Sequence, residues 1–293
     1  MSAGAHPLRG RFVDIGQGRR MRIVCEGPRG NGPTVLLEAG AFGLSADWGA
    51  VQARLTAQGL HSCAYDRAGL GYSDPGPKPR DGLAIVQDLE KLLAAAEEPG
   101  PYILVGHSMA GLRVRTFAVR HPDQVAGLVL VDATTAESIE QPQVRSFIEH
   151  FADASRLAGW AAGAGLFKPL APFLGDSIGL TGAADAEKKW AFANAGHNHW
   201  AAEEVKEWVR SAEQASAAGE LDPEWPVAVI TAGRGPHAWK SLQAAPAERS
   251  RHGYYRNVPD AHHATLLGER FADEIVKGVD FVMQAAAQKT RAA

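Results

Sequence analysis

The sequence predicts an α/β fold: a mostly parallel sheet of about eight strands, helices on both faces, and a helical segment inserted after the sixth strand. Three observations lead there. Runs such as Pro33–Glu38 and Val125–Val131 are apolar almost throughout, as strands covered on both faces must be. These runs alternate with helix-length segments whose apolar residues recur at helical spacing. From about Ala133 to Leu221 the strand pattern stops and helical stretches rich in Trp and Phe replace it. The expected organisation is a core formed by residues 1–132 and 222–293, with a helical lid over 133–221.

The elements follow in chain order. Arg11–Ile15 and Met21–Glu26 read as two short strands joined by a Gly/Arg turn, an antiparallel start to the sheet. Pro33–Glu38 is the first fully buried strand, and it runs into the loop Ala39-Gly40-Ala41-Phe42-Gly43. Asp47 is placed to cap a helix over Trp48–Gln58. Strand His61–Asp66 leads into the turn-rich Arg67–Gly76, and Asp81–Glu98 is a helix with Val86, Leu89 and Leu93 on one face. Strand Ile103–Gly106 precedes a helix that Pro122 stops. Strand Val125–Val131 ends at Asp132. In the lid, helical stretches surround Phe147–Phe151, Leu166–Leu174 and Asp185–Glu213, and one or two of their aromatics are expected to line a pocket. The sheet resumes at Pro226–Thr231 and Tyr254–Val258, and a last helix covers about Arg270–Ala286. Right-handed crossovers place the carboxyl ends of the parallel strands along one edge, where ligands bind in such sheets.

Composition sets outer limits. The chain has 293 residues, 45% of them hydrophobic and 22% charged, enough for one large α/β core with an insertion. A net charge of −3 supplies no basic field for nucleic acid or an anionic membrane. No apolar run approaches the ~18 residues of a membrane span, and Lys168, Pro169 and Pro172 interrupt the nearest one, Leu157–Leu174. The first residues lack a secretory pattern, so a cytoplasmic location is expected. Cys25 and Cys63 both lie in strand-like runs. They read most simply as buried thiols, a bridge between them being the alternative. No Cys/His spacing of zinc type occurs, and His197 and His199 fall on different faces of a helix, so no metal is expected. They are expected on a polar lid surface.

The chemistry concentrates in Tyr102–Gly111, YILVGHSMAG. An apolar strand enters a glycine, a serine follows, and small residues open a helix. This is the layout of a strand–elbow–helix that exposes a serine nucleophile at its corner. The tight turn demands small residues two before and two after Ser108. Gly106 meets the first demand; Ala110 meets the second approximately, with Gly111 one place late. The N–H of Met109 is aimed above the serine, where it can stabilise an oxyanion. A serine hydroxyl also needs a base within hydrogen-bond reach and an acid to orient the base. The base should follow the last strand, where the sequence reads Pro259-Asp260-Ala261-His262-His263-Ala264-Thr265-Leu266-Leu267.

GHSMAG at the elbow, YDRAGLGYSD after the fourth strand, LVLVDAT after the sixth and AHHATLL after the last together resemble the α/β-hydrolase superfamily, and the resemblance runs nearly the whole length of the chain. It implies the α/β-hydrolase fold and a catalytic triad in the order serine, acid, histidine. In relatives with such a last loop the histidine precedes one residue, a Ser/Thr and a Leu, which favours His263 over His262. The acid usually follows the strand read here at Pro226–Thr231, but the next residues, Ala232–Trp239, include no carboxylate. Some members carry it after the preceding strand, where Asp132 stands; Glu137 is a weaker candidate in the same loop. Many relatives have His-Gly after the strand read at Pro33–Glu38. Aligning Ala39-Gly40 with that pair places the second oxyanion N–H on Ala41, with Phe42 as the alternative; one such donor is worth about 3 kcal/mol. Glu38 is an unusual neighbour for an oxyanion hole and is paired here with Arg67. Asp66–Ser73 is read as a structural turn, and Arg113 and Arg115 as surface or sheet-edge groups.

The expected activity is that of a serine hydrolase acting on a carboxylic ester, or a related acyl bond, of a small apolar molecule. Ser108, His263 and Asp132 would form the triad, and Ala41 and Met109 the oxyanion hole, with no cofactor. A serine at the elbow disfavours epoxide hydrolysis and dehalogenation, which in this superfamily use an aspartate. Lactonase, carbon–carbon bond hydrolase, acyltransferase and perhydrolase chemistry use the same triad. A non-catalytic ligand-binding protein is the alternative of a different class, and the missing acid after the seventh strand is its support.

Overall fold

The computed structural model describes residues 8–163, 177–233 and 237–292. One eight-stranded sheet organises it. The strands are β1 (Arg11–Asp14), β2 (Arg20–Glu26), β3 (Thr34–Glu38), β4 (Ser62–Tyr65), β5 (Tyr102–His107), β6 (Val125–Val131), β7 (Val227–Ala232) and β8 (Gly253–Val258). They lie in the order β1-β2-β4-β3-β5-β6-β7-β8. The β1–β2 and β2–β4 pairings are antiparallel, and every pairing from β4 to β8 is parallel.

Strict alternation divides the core between the two faces of the sheet. Val35, Leu37, Ile103, Val105, Val129, Val131, Ala228 and Ile230 face one way. They pack on Val51 and Leu55 of helix α1 (Gly49–Ala57) and on the carboxyl-terminal helix, whose Ile275, Val279 and Val282 lie at helical spacing. Leu36, Leu104, Leu128, Leu130, Val227 and Val229 face the other way. There they meet Val86, Leu89 and Leu93 of α2 (Gly82–Ala95) and Val114 and Phe117 of α3 (Ala110–Arg120). Because both faces are covered there, the central strands β3, β5, β6 and β7 have no polar side, and this is why they read as nearly continuous apolar runs; β1 and β8, at the margins, are mostly exposed.

Helices α4 (Pro142–Gly163), α5 (Gly182–Ala193), α6 (Ala195–Lys206) and α7 (Trp208–Ala218) lie between β6 and β7, with no strand among the described residues there. Their apolar side joins the site end of the core: Ile139, Val144, Ile148, Val205 and Trp208 cluster with Met109 and Leu112. The stretch Leu166–Leu174 lies outside the described residues. After β7, α8 (His237–Arg249) and α9 (Ala272–Ala292) complete the fold. Among the described residues no helix is long and apolar enough to cross a membrane.

Two local expectations are corrected. Asp47 caps no helix, because a 3-10 turn over Ser45–Trp48 precedes α1; the buried carboxylate pairs instead with Lys188 of α5 at 2.8 Å. Cys25 and Cys63 are joined rather than free. Register makes them direct cross-strand partners on β2 and β4, with Cα atoms 4.1 Å apart and a disulfide between the sulfurs.

Candidate active site

At the carboxyl end of β5 the chain turns through Ser108 at φ +57° and enters α3. A left-handed serine costs about 1–3 kcal/mol and persists only where its surroundings fix it. Here Ser108 N–H donates to Val131 O at 3.1 Å, and its carbonyl accepts from Gly111 N–H at 3.1 Å and Thr134 N–H at 2.9 Å. The same packing explains Gly111: a Cβ there would lie 2.5 Å from Thr134 O, so the glycine serves the close approach of α3 to the loop after β6. Ala110 is tolerated at the position where the motif usually has glycine.

Asp132, directly after β6, is also left-handed, at φ +41°. Its Oδ2 accepts from His263 Nδ1 at 2.7 Å, and its Oδ1 accepts from Ala232 N–H at 3.2 Å and Gln243 Nε2 at 3.0 Å. The end of β7, where a carboxylate is more usual, thus offers its backbone N–H to the carboxylate of β6. Burial alone would raise the Asp132 carboxyl, but the hydrogen bond and charge of His263, with the Ala232 and Gln243 donors, hold it down at about 2. Because a carboxylate accepts, Nδ1 of His263 is the donor of this bond, and Nε2 is the ring nitrogen that Asp132 does not engage. Ser108 and His263 line the same cavity. Among the described residues no hydrogen bond within 3.5 Å joins Ser108 Oγ to His263. Such contacts are often long in unliganded sites and tighten around substrate. His262 is exposed, with its N–H bonded to Thr265 Oγ1 at 2.8 Å, and Glu137 pairs with Arg115 at 2.6 Å; neither reaches the imidazole of His263.

Next to Ser108 lies the loop after β3. Gly40 lets it approach: a Cβ there would sit 2.8 Å from Ser108 Cβ. Gly43 N–H donates to Gly40 O at 3.1 Å, closing a turn with Phe42 at φ +55°. Among the described residues no acceptor takes the N–H of Ala41 or Met109. Two arginines support this loop from below. Arg67 donates to the carbonyls of Ala39 and Gly40, both at 2.8 Å, and Arg113 donates to Ala39 O at 2.6 Å. Their charges are balanced by Glu38, 3.1 Å from Arg67 and 2.9 Å from Arg113, and by Glu204 of α6, 2.9 Å from Arg67. Tyr65 also donates its hydroxyl to Glu38. The expected Glu38–Arg67 pair is therefore present.

The placement of Arg113 and Arg115 at the surface is corrected. Both are buried, because the lid and the β3 loop cover α3 and supply their acceptors; Arg115 donates to Gly219 O at 3.0 and 2.9 Å. His197 is likewise not on a polar lid surface. It is buried at the lid–core contact, where its Nδ1 accepts from Gly71 N–H at 2.9 Å, and burial pushes the ring down to about 3. His199 remains exposed, so the two rings do separate.

Several contributors had no sequence signal beyond their type. His107, just before Ser108, is pushed down to about 3 by burial and then by the charge of His263. Its Nε2–H donates to the carbonyl of His263 at 3.1 Å, with the two rings 4.4 Å apart. Lys188 of the lid donates to Phe42 O at 3.1 Å and ties the β3 loop to the lid. Only folding shows what 107, 188 and 243 touch.

The cavity over these groups holds ≈ 940 Å³. Its walls are mainly apolar, with Phe42, Phe151, Phe192, Trp208 and Trp239 among them. Phe151 meets Phe42 and Trp208 edge-on, at centroid distances of 6.3 and 6.0 Å.

Residues 33–269 match the family model described as alpha/beta hydrolase fold, and the chain belongs to that family. An uncharacterised protein of Schizosaccharomyces pombe is 28% identical over 224 residues, which is 73% of this chain and 40% of that protein. The chain spans only 24 to 40% of the length of the first curated relatives it matches. A Vigna radiata epoxide hydrolase mutant superposes with a TM-score of 0.72 at 16% identity, covering 94% of this chain and 99% of that one. A thermophilic esterase from Thermogutta terrifontis superposes with a TM-score of 0.67 at 20% identity, covering 94% and 99%. Similarities this remote establish the fold alone.

Proposed function

We propose that this protein is a serine hydrolase that cleaves a carboxylic ester, or a related acyl bond, of a small apolar molecule through an acyl-enzyme. The observation that carries the reading is the 2.7 Å Asp132–His263 Nδ1 contact, which leaves Nε2 free of that bond in the same apolar cavity that is lined by a serine held in a left-handed elbow. Ser108 Oγ attacks the acyl carbonyl while His263 Nε2 takes its proton. Asp132 keeps the imidazole in the useful tautomer and stabilises it when charged. The N–H groups of Met109 and Ala41 receive the developing oxyanion. His263 then protonates the departing alkoxide and activates the water that releases the acid. Serine at the elbow separates this reading from the epoxide hydrolysis named for some structural neighbours.

The test is hydrolysis of p-nitrophenyl esters together with fluorophosphonate labelling. Wild type is expected to turn over and to be labelled at Ser108. Ser108→Ala is expected to lose labelling and to drop kcat/KM by on the order of 10⁴ or more, with unfolding unchanged. A folded wild-type protein that is neither labelled nor active would favour the ligand-binding alternative.

A further inference from the structure

At the opposite edge of the sheet, Cys25, His61, Cys63 and Glu98 each offer one ligand atom, and all four atoms lie within 4.8 Å of one another. Strand pairing brings them together. Cys25 on β2 faces Cys63 on β4, His61 immediately precedes β4, and Glu98 follows α2. Cys63 and Glu98 are buried, and Cys25 and His61 are half-buried.

The surrounding hydrogen bonds aim the ligand atoms inward. His61 Nδ1 lies 3.0 Å from Gly27 O. A carbonyl only accepts, so Nδ1 carries the proton and Nε2 turns its lone pair toward the cluster. There Nε2 meets Cys63 Sγ at 3.6 Å and Glu98 Oε2 at 3.1 Å. The other carboxylate oxygen, Oε1, is taken by Arg29, with Arg11 3.8 Å away, so Glu98 is fixed with Oε2 toward His61. Those guanidiniums also offset the negative charge that two thiolates and a carboxylate would bring.

We infer that the reduced protein holds a divalent, thiophilic cation such as zinc on Cys25, Cys63, His61 and Glu98, and that the Cys25–Cys63 disulfide is the closed, cation-free state of the same site. Opening it takes an external dithiol, which supplies two electrons and two protons. The S–S bond breaks, two protein thiols form, and the donor leaves as its own disulfide. Cation binding then expels both thiol protons. Two sulfurs, one imidazole and one carboxylate are a donor set suited to tetrahedral zinc. Register sets Cys63 level with Leu36 and Leu104, four residues before Ser108 and two strands away from β5, so the site acts on the β2–β4 pairing rather than on the chemistry.

The test uses the full chain without an affinity tag, either oxidised or reduced with a phosphine that is then removed by gel filtration under argon. Zn²⁺ is titrated against a chromophoric chelator, and Co²⁺ is followed by its absorption. The reduced protein should take one ion per chain with release of at least two protons, show a thiolate-to-cobalt charge-transfer band and the intense visible bands of a tetrahedral ion, and keep its circular dichroism. The oxidised protein should take none. His61→Gln and Cys25→Ser should each weaken binding by more than the roughly 10–100-fold that loss of an outer hydrogen-bond partner costs. Equal cobalt uptake by the two redox forms, a cobalt spectrum without the thiolate band, undiminished binding by His61→Gln, or unfolding on reduction alone would each overturn the inference.

Discussion

Asp132 and His197 show how one side chain's surroundings set its role. Asp132 sits after β6, yet it receives donors from β7 and α8 and orients a histidine that follows β8. Replacing it with asparagine keeps the shape but puts an amide where an acceptor is needed, favouring the wrong imidazole tautomer. Asp132→Asn should therefore lower kcat/KM by a factor on the order of 10⁴, as wrong-tautomer variants of serine hydrolases do. Full activity in a p-nitrophenyl ester assay would refute the assignment of the acid. His197 is held neutral in the fold, pushed from 6.5 to about 3 by burial and then by Lys188 and Arg67. The unfolded chain binds a proton below 6.5 that the folded chain does not. The stability from this group is thus full above 6.5 and is lost as pH falls toward 3, by about 1.4 kcal/mol per pH unit. Urea unfolding at pH 7 and pH 5 measures that slope. His197→Asn, which keeps an acceptor for Gly71 N–H, should flatten it, while His107 contributes a second slope of the same sign.

At the scale of elements, the loop after β3 is shaped less by its own sequence than by the ends of its neighbours. Arg67 from the turn after β4, Arg113 from α3 and Lys188 from the lid all donate to its carbonyls. Carbonyls engaged in this way leave the N–H groups on the other side of the loop directed away from the arginines. Glu38 is the shared counter-ion of both guanidiniums. Removing its charge leaves buried cations partly uncompensated, so Glu38→Gln is expected to destabilise the protein by about 3–5 kcal/mol in urea unfolding. Unchanged stability would mean that Glu204 alone balances the cluster. The candidate metal-ligand cluster was hidden in sequence for a related reason: its members, at 25, 61, 63 and 98, have no common spacing and meet only because β2 pairs with β4 and the chain after α2 packs beside them.

For the whole molecule, the sheet provides a floor and the insertion a roof, and the space between them is mainly apolar. If the acyl chain lies there, each added methylene contributes about 0.8 kcal/mol, roughly fourfold in kcat/KM, until the cavity is filled. A graded series of p-nitrophenyl esters measures this directly, and a flat profile would place the acyl chain in solvent. Much of this architecture was legible from residues alone. Val125–Val131, Tyr102–His107 and Val227–Ala232 are apolar at almost every turn of the pleat, His107 and Thr231 being the exceptions, as befits strands of a doubly covered sheet. The elbow was legible because few backbones can accept glycine, serine and two small residues in that order. Arg113, His197 and Lys188 were not, because a charged or titratable side chain on a helix reads as solvent-facing until the surface it meets is known.

The sequence by itself determined the layers and the corner serine, since these follow from local periodicity and from the steric demands of one turn; the order serine, acid, histidine came from the resemblance to the superfamily. Only the tertiary structure decided which carboxylate meets His263, which cations hold the β3 loop, and that Cys25 and Cys63 lie opposite each other. Those outcomes depend on the register between strands distant in sequence and on how a lid settles over a sheet edge. Both are set by the packing of many residues together and by none of them singly.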